Sequence, residues 1–379
     1  MNLPHEDESP ARGDKGNGES RTPRNLGDLH KTITMAQIAR AAGVSQGAIS
    51  SLLNDRDYGI RVSEKTRERV FKVCREMGYI PNDLRAVVRM YPEVGDFCLL
   101  ISSSIPGGLL NPFVSRVAQA AMKAVEEPSH PLTLGYYDKG EDYSGSVEQL
   151  PYPIRSGVTS KFLFVGEPNL SLLSQISRRG LPSVNIGSDA AAFGVLSLVP
   201  DYAAASRLAI EHLFSLGHKH LAIVSGPFGT NDPQIIDLHR GVKQAYDQQG
   251  LSIEAQNIVY GDLSNRAGAA ALDELMSHPA KPTAVFCLGD AAAAGVIIQA
   301  HARGLRVPED LSVIGCSDDL CAQSSVPPLT TVHIPAEEMA ETGVKELERL
   351  IRTGTQIDAQ KRVMPVSLVE RSTTAVPKA

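Results

Sequence analysis

Three hydrogen-bonding side chains, Gln46, Ser50 and Asn54, lie four residues apart, which is the spacing of one face of a helix. Gly47 and Ser51 lie beside them. Amide and hydroxyl groups on such a helix can bond the edges of DNA bases when the helix lies in the major groove. The spacing predicts a base-contacting surface, and a small helical hairpin with a solvated polar face is the alternative explanation.

Short helices on either side of a turn must position this face. Apolar residues at helical spacing predict a first helix over about residues 35–42. Gly43 can adopt the left-handed conformation that ends this helix, and Ser45 can cap the next one. A third helix is predicted over residues 63–77, with Ser63 as its N-cap. Three short helices of this kind can share one small core.

The charge of the chain is distributed unevenly. Residues 33–90 hold ten Lys and Arg against six Asp and Glu, a net charge of +4. The net charge is −1 over residues 1–32 and −9 over residues 91–379, within a total of −6. A positive excess confined to the predicted helices suits contact with DNA phosphates. The first 32 residues are polar and rich in glycine, so we expect them to be disordered.

Residues 94–375 alternate short apolar segments with helical ones, which predicts an α/β region of parallel sheets with right-handed crossovers. The predicted strands are 97–101, 132–136, 162–165, 183–186, 220–224, 284–287 and 312–315, and the predicted helices are 112–125, 203–216, 232–248, 265–276 and 291–303. Ligands of such sheets bind beyond the carboxyl ends of the strands. Ser and Asp are frequent there, which suits a hydroxyl-rich ligand such as a sugar, and capping of the following helices is at least an equal alternative for each of them except Asp290.

Several classes of protein are disfavoured by what the sequence lacks. It has no run of about 18 apolar residues that could span a membrane, and its first 32 residues lack the apolar segment of a signal peptide. Its five cysteines form no CxxC pair, which predicts buried free thiols in a reducing cytoplasm. We expect no enzyme activity, no catalytic residue and no cofactor, because nucleophile-elbow, phosphate-loop and dinucleotide motifs are absent. Histidines 212, 218 and 220 suit a helix end and a turn better than a metal site.

Motifs along residues 33–376 resemble, in their order and spacing, the lactose-repressor (LacI/GalR) family of bacterial transcription regulators. The matching segments are ITMAQIARAAGVSQGAISSLLN, VSEKTRERV, GYIPN, NPF at 111–113, EHLFSLGHKHLAIVSG at 211–226, AVFCLGD at 284–290, RVPEDLSVIG at 306–315, PPLTTV at 327–332 and PVSLVERSTT at 365–374. The resemblance implies an all-α helix-turn-helix headpiece. It also implies an α/β core of two subdomains with parallel sheets, like that of periplasmic binding proteins.

The resemblance implies a cytoplasmic repressor that binds double-stranded operator DNA as a homodimer or larger oligomer. Its effector, a small molecule such as a sugar, would bind between the two core subdomains and change their relative angle. That change would favour or disfavour ordered hinge helices and so alter DNA binding. The alternative is a sugar-binding protein with a vestigial headpiece.

Four segments follow from this interpretation. Residues 1–32 are the disordered extension, 33–79 the helix-turn-helix domain, 80–93 the hinge helix and linker, and 94–375 the effector-binding and dimerisation domain. The N-subdomain is expected at about 94–198 and 330–360, and the C-subdomain at about 199–329 and 361–375.

The resemblance places base contacts at Gln46, Gly47 and Ser51. Further DNA contacts are expected at Thr34, Ser45, Ser50, Asn54, Arg61, Ser63, Thr66, Asn82, Arg85 and Val88. Val88 stands where the family wedges a leucine between base steps, and packing between two hinge helices is an equal alternative for it.

Effector contacts are expected at Ser102, Ser104, Asn111, Phe113, Asp138, Ser188, Asp201, Arg240, Asp290, Ser317 and Asp318. Asp290 matches an aspartate that contacts effectors in the family. The chain departs from the family at Leu238, where an arginine is frequent, and at Ser317, where an aspartate is usual. The loss of an arginine argues against a carboxylate or phosphate ligand.

Overall fold

Two compact units, Met1–Ile80 and Pro81–Ala379, make up the computed structural model of the chain. Residues 33–54, 62–77, 79, 96–125, 132–157, 159–353 and 358–378 are described. The predicted disorder of residues 1–32 and the hinge at 80–93 lie outside the described residues. The same holds for the candidate DNA contacts Arg61, Asn82, Arg85 and Val88.

The described part of the first unit contains three helices, as predicted: α1 Met35–Ala42, α2 Gln46–Asn54 and α3 Glu64–Met77. Thr34 begins α1 with a reciprocal capping box, and Gly43 ends it in the left-handed conformation, at a φ of 62°. One side of each helix supplies the buried core of Ile38, Ala42, Ile49, Leu53, Val70 and Cys74. The first helix, α1, packs against both α2 and α3, and the three helices bury these apolar side chains while their polar faces stay outside.

Two six-stranded sheets organise the second unit. Its strands are β1 Asp96–Ser102, β2 Leu132–Tyr137, β3 Thr159–Val165, β4 Ser183–Ile186, β5 Leu196–Pro200, β6 Leu221–Ser225, β7 Ile258–Tyr260, β8 Ala284–Cys287, β9 Ser312–Ser317, β10 Thr330–His333, β11 Lys361–Met364 and β12 Ser367–Val369. The strand orders are β11-β5-β4-β3-β1-β2 and β12-β10-β9-β8-β6-β7. Every neighbouring pair is parallel except β10 and β12, so the predicted α/β architecture is confirmed.

The helices in the described part of this unit are α4 Pro112–Ala124, α5 Tyr152–Ser156, α6 Leu170–Arg178, α7 Tyr202–Ser215, α8 Pro233–Gln248, α9 Asn265–Ser277, α10 Asp290–Ala302, α11 Leu320–Ser324 and α12 Ala336–Thr353. We call the first sheet with α4–α6 and α12 the first lobe, and the second sheet with α7–α11 the second lobe. None of the described helices combines the length and the apolar character that crossing a membrane requires.

Helices cover both faces of each sheet, and β1 illustrates why its sequence is apolar throughout. Phe97, Leu99 and Ile101 pack into one buried cluster, which includes side chains of α4 and α12. Cys98 and Leu100 point the other way, into a cluster that includes side chains of α6. Alternate residues of a strand face opposite sides, so a strand covered on both sides carries a continuous apolar run.

The chain passes between the lobes three times, after β5, after β10 and after β11. Each passage comes a few residues later than expected from the sequence. The segment Thr330–His333 pairs with β9 of the second lobe rather than belonging to the N-subdomain. The segment Lys361–Met364 pairs with β5 of the first lobe rather than belonging to the C-subdomain. The local sequence of such a short strand does not indicate which sheet it joins, because pairing with strands distant in sequence determines this.

Close packing of α9 on α10 depends on two glycines. A Cβ added to Gly268 would overlap the carbonyl oxygen of Ala292, and one added to Gly295 would overlap that of Asn265. Neither atom can move aside cheaply, because each belongs to the backbone of a packed helix.

Replacing Gly295 with alanine should therefore force α9 and α10 apart. We expect Gly295→Ala to lower the free energy of unfolding by about 1–3 kcal/mol, the usual cost of overpacking a core. Ala270→Ser, at an exposed position of α9, serves as the control. Urea unfolding followed by circular dichroism measures both, and equal midpoints for Gly295→Ala and the parent protein would show that the two helices are not packed this closely.

Candidate functional site

The amino-terminal end of α2 lies at the surface of the first unit. Gln46 and Gly47 are exposed, and Ser50 and Ser51 are half-buried. The Ser45 hydroxyl accepts the Ala48 N–H at 3.1 Å, so it caps α2. The first turn of α2 contains no acidic residue, which leaves the positive end of the helix dipole uncompensated. This end of the helix suits the approach of a polyanion.

The hydroxyl groups expected to contact phosphates lie at the starts of α1 and α3. The exposed Thr34 accepts the Gln37 N–H at 3.3 Å, and the exposed Ser63 accepts that of Thr66 at 3.3 Å. The Ser63 and Thr66 hydroxyl oxygens lie 2.9 Å apart. These groups therefore form helix caps, whose free backbone N–H groups are also common anion ligands. Asn54 ends α2, and its side chain lies outside the described residues.

Four candidate effector residues lie at the end of β1 or in the segment that follows it. The buried Ser102 hydroxyl lies 2.8 Å from that of the exposed Ser104. Asn111 caps α4 by accepting the Phe113 N–H at 3.1 Å, so the capping alternative applies to it. Phe113 itself is half-buried at the start of α4.

Phe113 lies where the two lobes approach each other. A Cβ placed on Gly187, which follows β4, would lie 3.3 Å from the Phe113 ring and 3.9 Å from the Gln234 amide nitrogen. That nitrogen donates to the Gly187 carbonyl at 3.4 Å. Gln234 belongs to the second lobe and was not singled out from the sequence. Its only local signal is its place in the first turn of α8, just after Asp232 and Pro233.

Four of the expected effector contacts have partners within their own lobe. Asp201 caps α7 at 2.9 Å, and Asp138 accepts a backbone N–H from its own loop at 2.7 Å. The buried Ser188 donates to a backbone carbonyl at 2.5 Å. Arg240 is exposed and pairs at 2.9 Å with Asp237, three residues earlier. None of these four partnerships joins the two lobes.

An aromatic group lies at the carboxyl ends of β6 and β7, and sequence reasoning missed it. Phe228 is 80% exposed, and its ring packs edge-on against Tyr260 with the centroids 5.0 Å apart. The His239 ring stacks parallel to Tyr260 at 6.2 Å, and His239 Nε2 lies 2.6 Å from the Ser225 hydroxyl. Burial lowers the pKa of His239, so the His239 ring is uncharged at neutral pH.

Asp290 is in the interior of the second lobe, with 1% of its surface exposed. Its Oδ1 accepts from the Thr331 hydroxyl at 2.5 Å, and its Oδ2 accepts from the Asp319 N–H at 2.7 Å. These partners use the carboxylate that was expected to bind the effector. Burial raises the pKa of Asp290 to about 6 and that of Asp319 to about 7.

The candidate residues Ser317 and Asp318 form a turn at the end of β9, with φ angles of 139° and 59°. Both values lie in the region that residues other than glycine rarely adopt. Asp318 is fixed by Arg371 at 2.6 Å and by His333, whose Nδ1 lies 3.2 Å from the carboxylate. A strained turn with polar side chains, located between the lobes, is a suitable place for a ligand.

A potential metal-binding group adjoins this turn. Ligand atoms of His333, Glu337 and Glu338 lie within 4.8 Å of one another. The Glu337 carboxylate already accepts two hydrogen bonds from Arg116, at 2.7 and 2.8 Å. A cation would have to displace this pairing, so the arrangement does not favour metal binding.

The raised pKa of Asp319 predicts a pH dependence of core stability. Above the ordinary aspartate pKa of 3.8 the unfolded chain loses this proton, while the folded core keeps it until about pH 7. The contribution of Asp319 to stability is therefore complete below pH 3.8 and is lost as the pH rises to about 7.

Thermal midpoints measured between pH 4.5 and 8 test this prediction. Burial lowers the pKa of His212, His218 and His239, so these histidines titrate in the opposite sense, and the informative quantity is the difference between a variant and the parent protein. The thermal midpoint of Asp319→Asn should fall less with rising pH than that of the parent protein. The midpoint of Asp247→Asn, at an exposed position, should fall as it does in the parent. Identical pH profiles for Asp319→Asn and the parent would contradict the burial of a proton at this site.

Comparison with known proteins covers both units. The family described as "Bacterial regulatory proteins, lacI family" matches residues 34–82, and "Periplasmic binding protein-like domain" matches residues 210–374. The HTH-type transcriptional regulator DegA of Bacillus subtilis (strain 168) is 30% identical over 347 residues, which cover 90% of this chain and 98% of DegA. The ribose operon repressor of Escherichia coli (strain K12) is 29% identical over 341 residues, covering 89% and 98%.

Among solved structures, the transcriptional regulator CelR in complex with cellobiose has a TM-score of 0.62 and 25% identity, covering 90% of this chain and 99% of that one. The helical first unit, the two-lobed second unit and the order of the motifs thus agree with full-length relatives. The chain belongs to the LacI family of bacterial regulatory proteins.

Proposed function

We propose that this chain is a sequence-specific DNA-binding transcriptional repressor, acting as a homodimer in the cytoplasm. Its DNA affinity would be controlled by a small molecule, a sugar or sugar derivative, that binds between the two lobes. The observation that carries this proposal is the exposed, acid-free start of α2 on a three-helix unit that precedes a two-lobed core.

Direct base recognition is assigned to Gln46. A glutamine amide can bond adenine in the major groove with two hydrogen bonds, and Gly47 beside it adds no bulk. Thr34 and Ser63 would contact phosphates at the starts of their helices, which orients the headpiece without reading sequence. Two headpieces of a dimer would bind two half-sites related by the two-fold axis of the dimer.

A neutral effector fits the cleft better than an anionic one. Arg240 is exposed and pairs with Asp237 of its own helix, so its charge is already compensated. The aromatic rings of Phe113 and Phe228 and the hydroxyl of Ser104 offer the mixture of apolar and hydrogen-bonding surface that sugars require. Two similar proteins carry sugars in their descriptions, ribose in one and cellobiose in the other.

Ligand binding, rather than catalysis, fits the acidic groups near the cleft. Asp290 is fully engaged by hydrogen bonds from Thr331 and Asp319, and Asp318 is paired with Arg371. Neither carboxylate is left to transfer protons to a substrate. The effector would act by differential affinity for two lobe arrangements, and such coupling typically amounts to about 1–3 kcal/mol.

Gel-shift titration against DNA from upstream of the coding region tests the DNA-binding proposal. We expect retarded DNA, and the logarithm of the association constant should fall linearly as the logarithm of the salt concentration rises. Gln46→Ala should lose about 1–3 kcal/mol of affinity at the specific site and little on random DNA, whereas Gln244→Ala, at an exposed position of α8, should lose none. Retardation that is absent at low salt would contradict the proposal and favour a sugar-binding protein.

A thermal-shift screen against cellobiose, ribose and related sugars tests the effector proposal. A sugar present at 100 times its Kd should stabilise the core by about 2.7 kcal/mol. Phe113→Ala should lose this stabilisation, and Arg240→Ala should keep it, because Arg240 is exposed and already paired with Asp237. Stabilisation by sugar phosphates alone, or its loss in Arg240→Ala, would contradict the neutral-ligand assignment.

A further inference from the structure

Arg116 joins the two lobes through one nearly buried guanidinium, whose side chain is 15% exposed. It belongs to α4 of the first lobe. Its Nη1 donates to the Ser317 carbonyl in the second lobe at 2.7 Å. Its Nη2 donates at 2.8 Å to the Ile334 carbonyl, in the segment that crosses between the lobes. Nε and Nη2 also donate to the Glu337 carboxylate at 2.8 and 2.7 Å, and Asp319 Oδ1 lies 3.6 Å from Nη1.

Arginine is the residue that this arrangement requires. A planar guanidinium can bind a carboxylate with two parallel hydrogen bonds and still direct other N–H groups at two carbonyls. A lysine ammonium could keep the positive charge beside Asp319 and Glu337 but could not reproduce this set of directions. The hydrogen bonds thus fix the orientation of α4 relative to the end of β9 and to the crossing segment.

The Ser317 carbonyl is the point at which this contact meets the strained turn. It accepts from Arg116 and also from the Ile334 N–H, at 3.3 Å. Residues with such positive φ angles are strained and persist only where their surroundings hold them. One of the groups that hold the Ser317–Asp318 turn therefore comes from the opposite lobe, so the turn and the lobe arrangement cannot vary independently.

We propose that Arg116 is a positioning residue that couples the conformation of the Ser317–Asp318 turn to the angle between the lobes. The proposal rests on the effector function assigned above, since it gives that effector a path from the turn to the lobe angle. Movement of α4 away from β9 leaves the Ser317 carbonyl with one donor and frees the turn to relax. Conversely, a ligand that reorients the turn removes an acceptor of Arg116 and favours the other lobe angle.

Hydrogen–deuterium exchange of the full-length protein without ligand tests whether Arg116 holds the Ser317–Asp318 turn. Loss of hydrogen bonds from a charged donor should raise exchange by about tenfold or more in the segments 317–320 and 334–338 of Arg116→Met. Arg116→Lys should show a smaller rise, and exchange in β1 should stay unchanged. Arg207→Met, which breaks the ion pair of Arg207 with Glu211 within α7, is the control.

Far-UV circular dichroism first establishes which Arg116 variants are folded, and Arg116→Lys carries the test if Arg116→Met is not. Unchanged exchange in both segments of a folded variant would show that Arg116 does not hold the Ser317–Asp318 turn. A second measurement addresses coupling, namely the ratio of operator affinities with and without the sugar that stabilises the parent protein. This ratio should approach one in Arg116→Met and recover in part in Arg116→Lys.

The two proposals fail in different ways. If the parent protein's operator affinity responds to no sugar, the proposed effector function fails, while the exchange experiment still decides whether Arg116 holds the turn. If Arg116→Met increases exchange at the turn yet keeps the parent's full sugar response, the coupling role of Arg116 is overturned and the effector function stands.

Discussion

Parallel strand pairing is the constraint on which the second unit depends. Parallel neighbours end at the same edge of their sheet, so the residues that follow them are brought together. The register of β10 on β9 pairs His333 with Ser317, which brings the His333 ring within reach of Asp318. The same edge places Asp290, at the start of α10, against Thr331. The Ser317–Asp318 turn thus has charged or polar neighbours from three segments distant in sequence, namely Arg116, His333 and Arg371.

Local signals were sufficient to predict the elements that position the candidate sites. The apolar spacing and the capping residues of the first unit predicted α1, α2 and α3, because a helix end and an apolar face are decided within a few residues. The seven strands inferred from apolar runs were found for the same reason. The five strands missed were β5, β7, β10, β11 and β12, most of them short strands at lobe borders or sheet edges.

The chemistry of the effector region could not be predicted to the same depth. A serine or aspartate after a strand can face a ligand or satisfy a neighbour, and only distant partners decide which. Asp290 bonds a threonine 41 residues away, and Arg116 binds a glutamate 221 residues away. Arg240, by contrast, is exposed and pairs with Asp237, a residue of its own helix. Side-chain direction across a cleft depends on contacts that no local pattern contains.

Recognition of duplex DNA by α2 in the major groove, under the control of the two-lobed core, is what the proposed function requires. Methylation protection of guanine N7 in the bound upstream DNA tests it most directly, because N7 lies in that groove. We expect two protected half-sites that are related by symmetry and spaced by whole helical turns, and the extent of their protection should change when the active sugar is added. Bound DNA without any protected N7, or with protection spread evenly along its length, would contradict sequence-specific binding of α2 in the major groove.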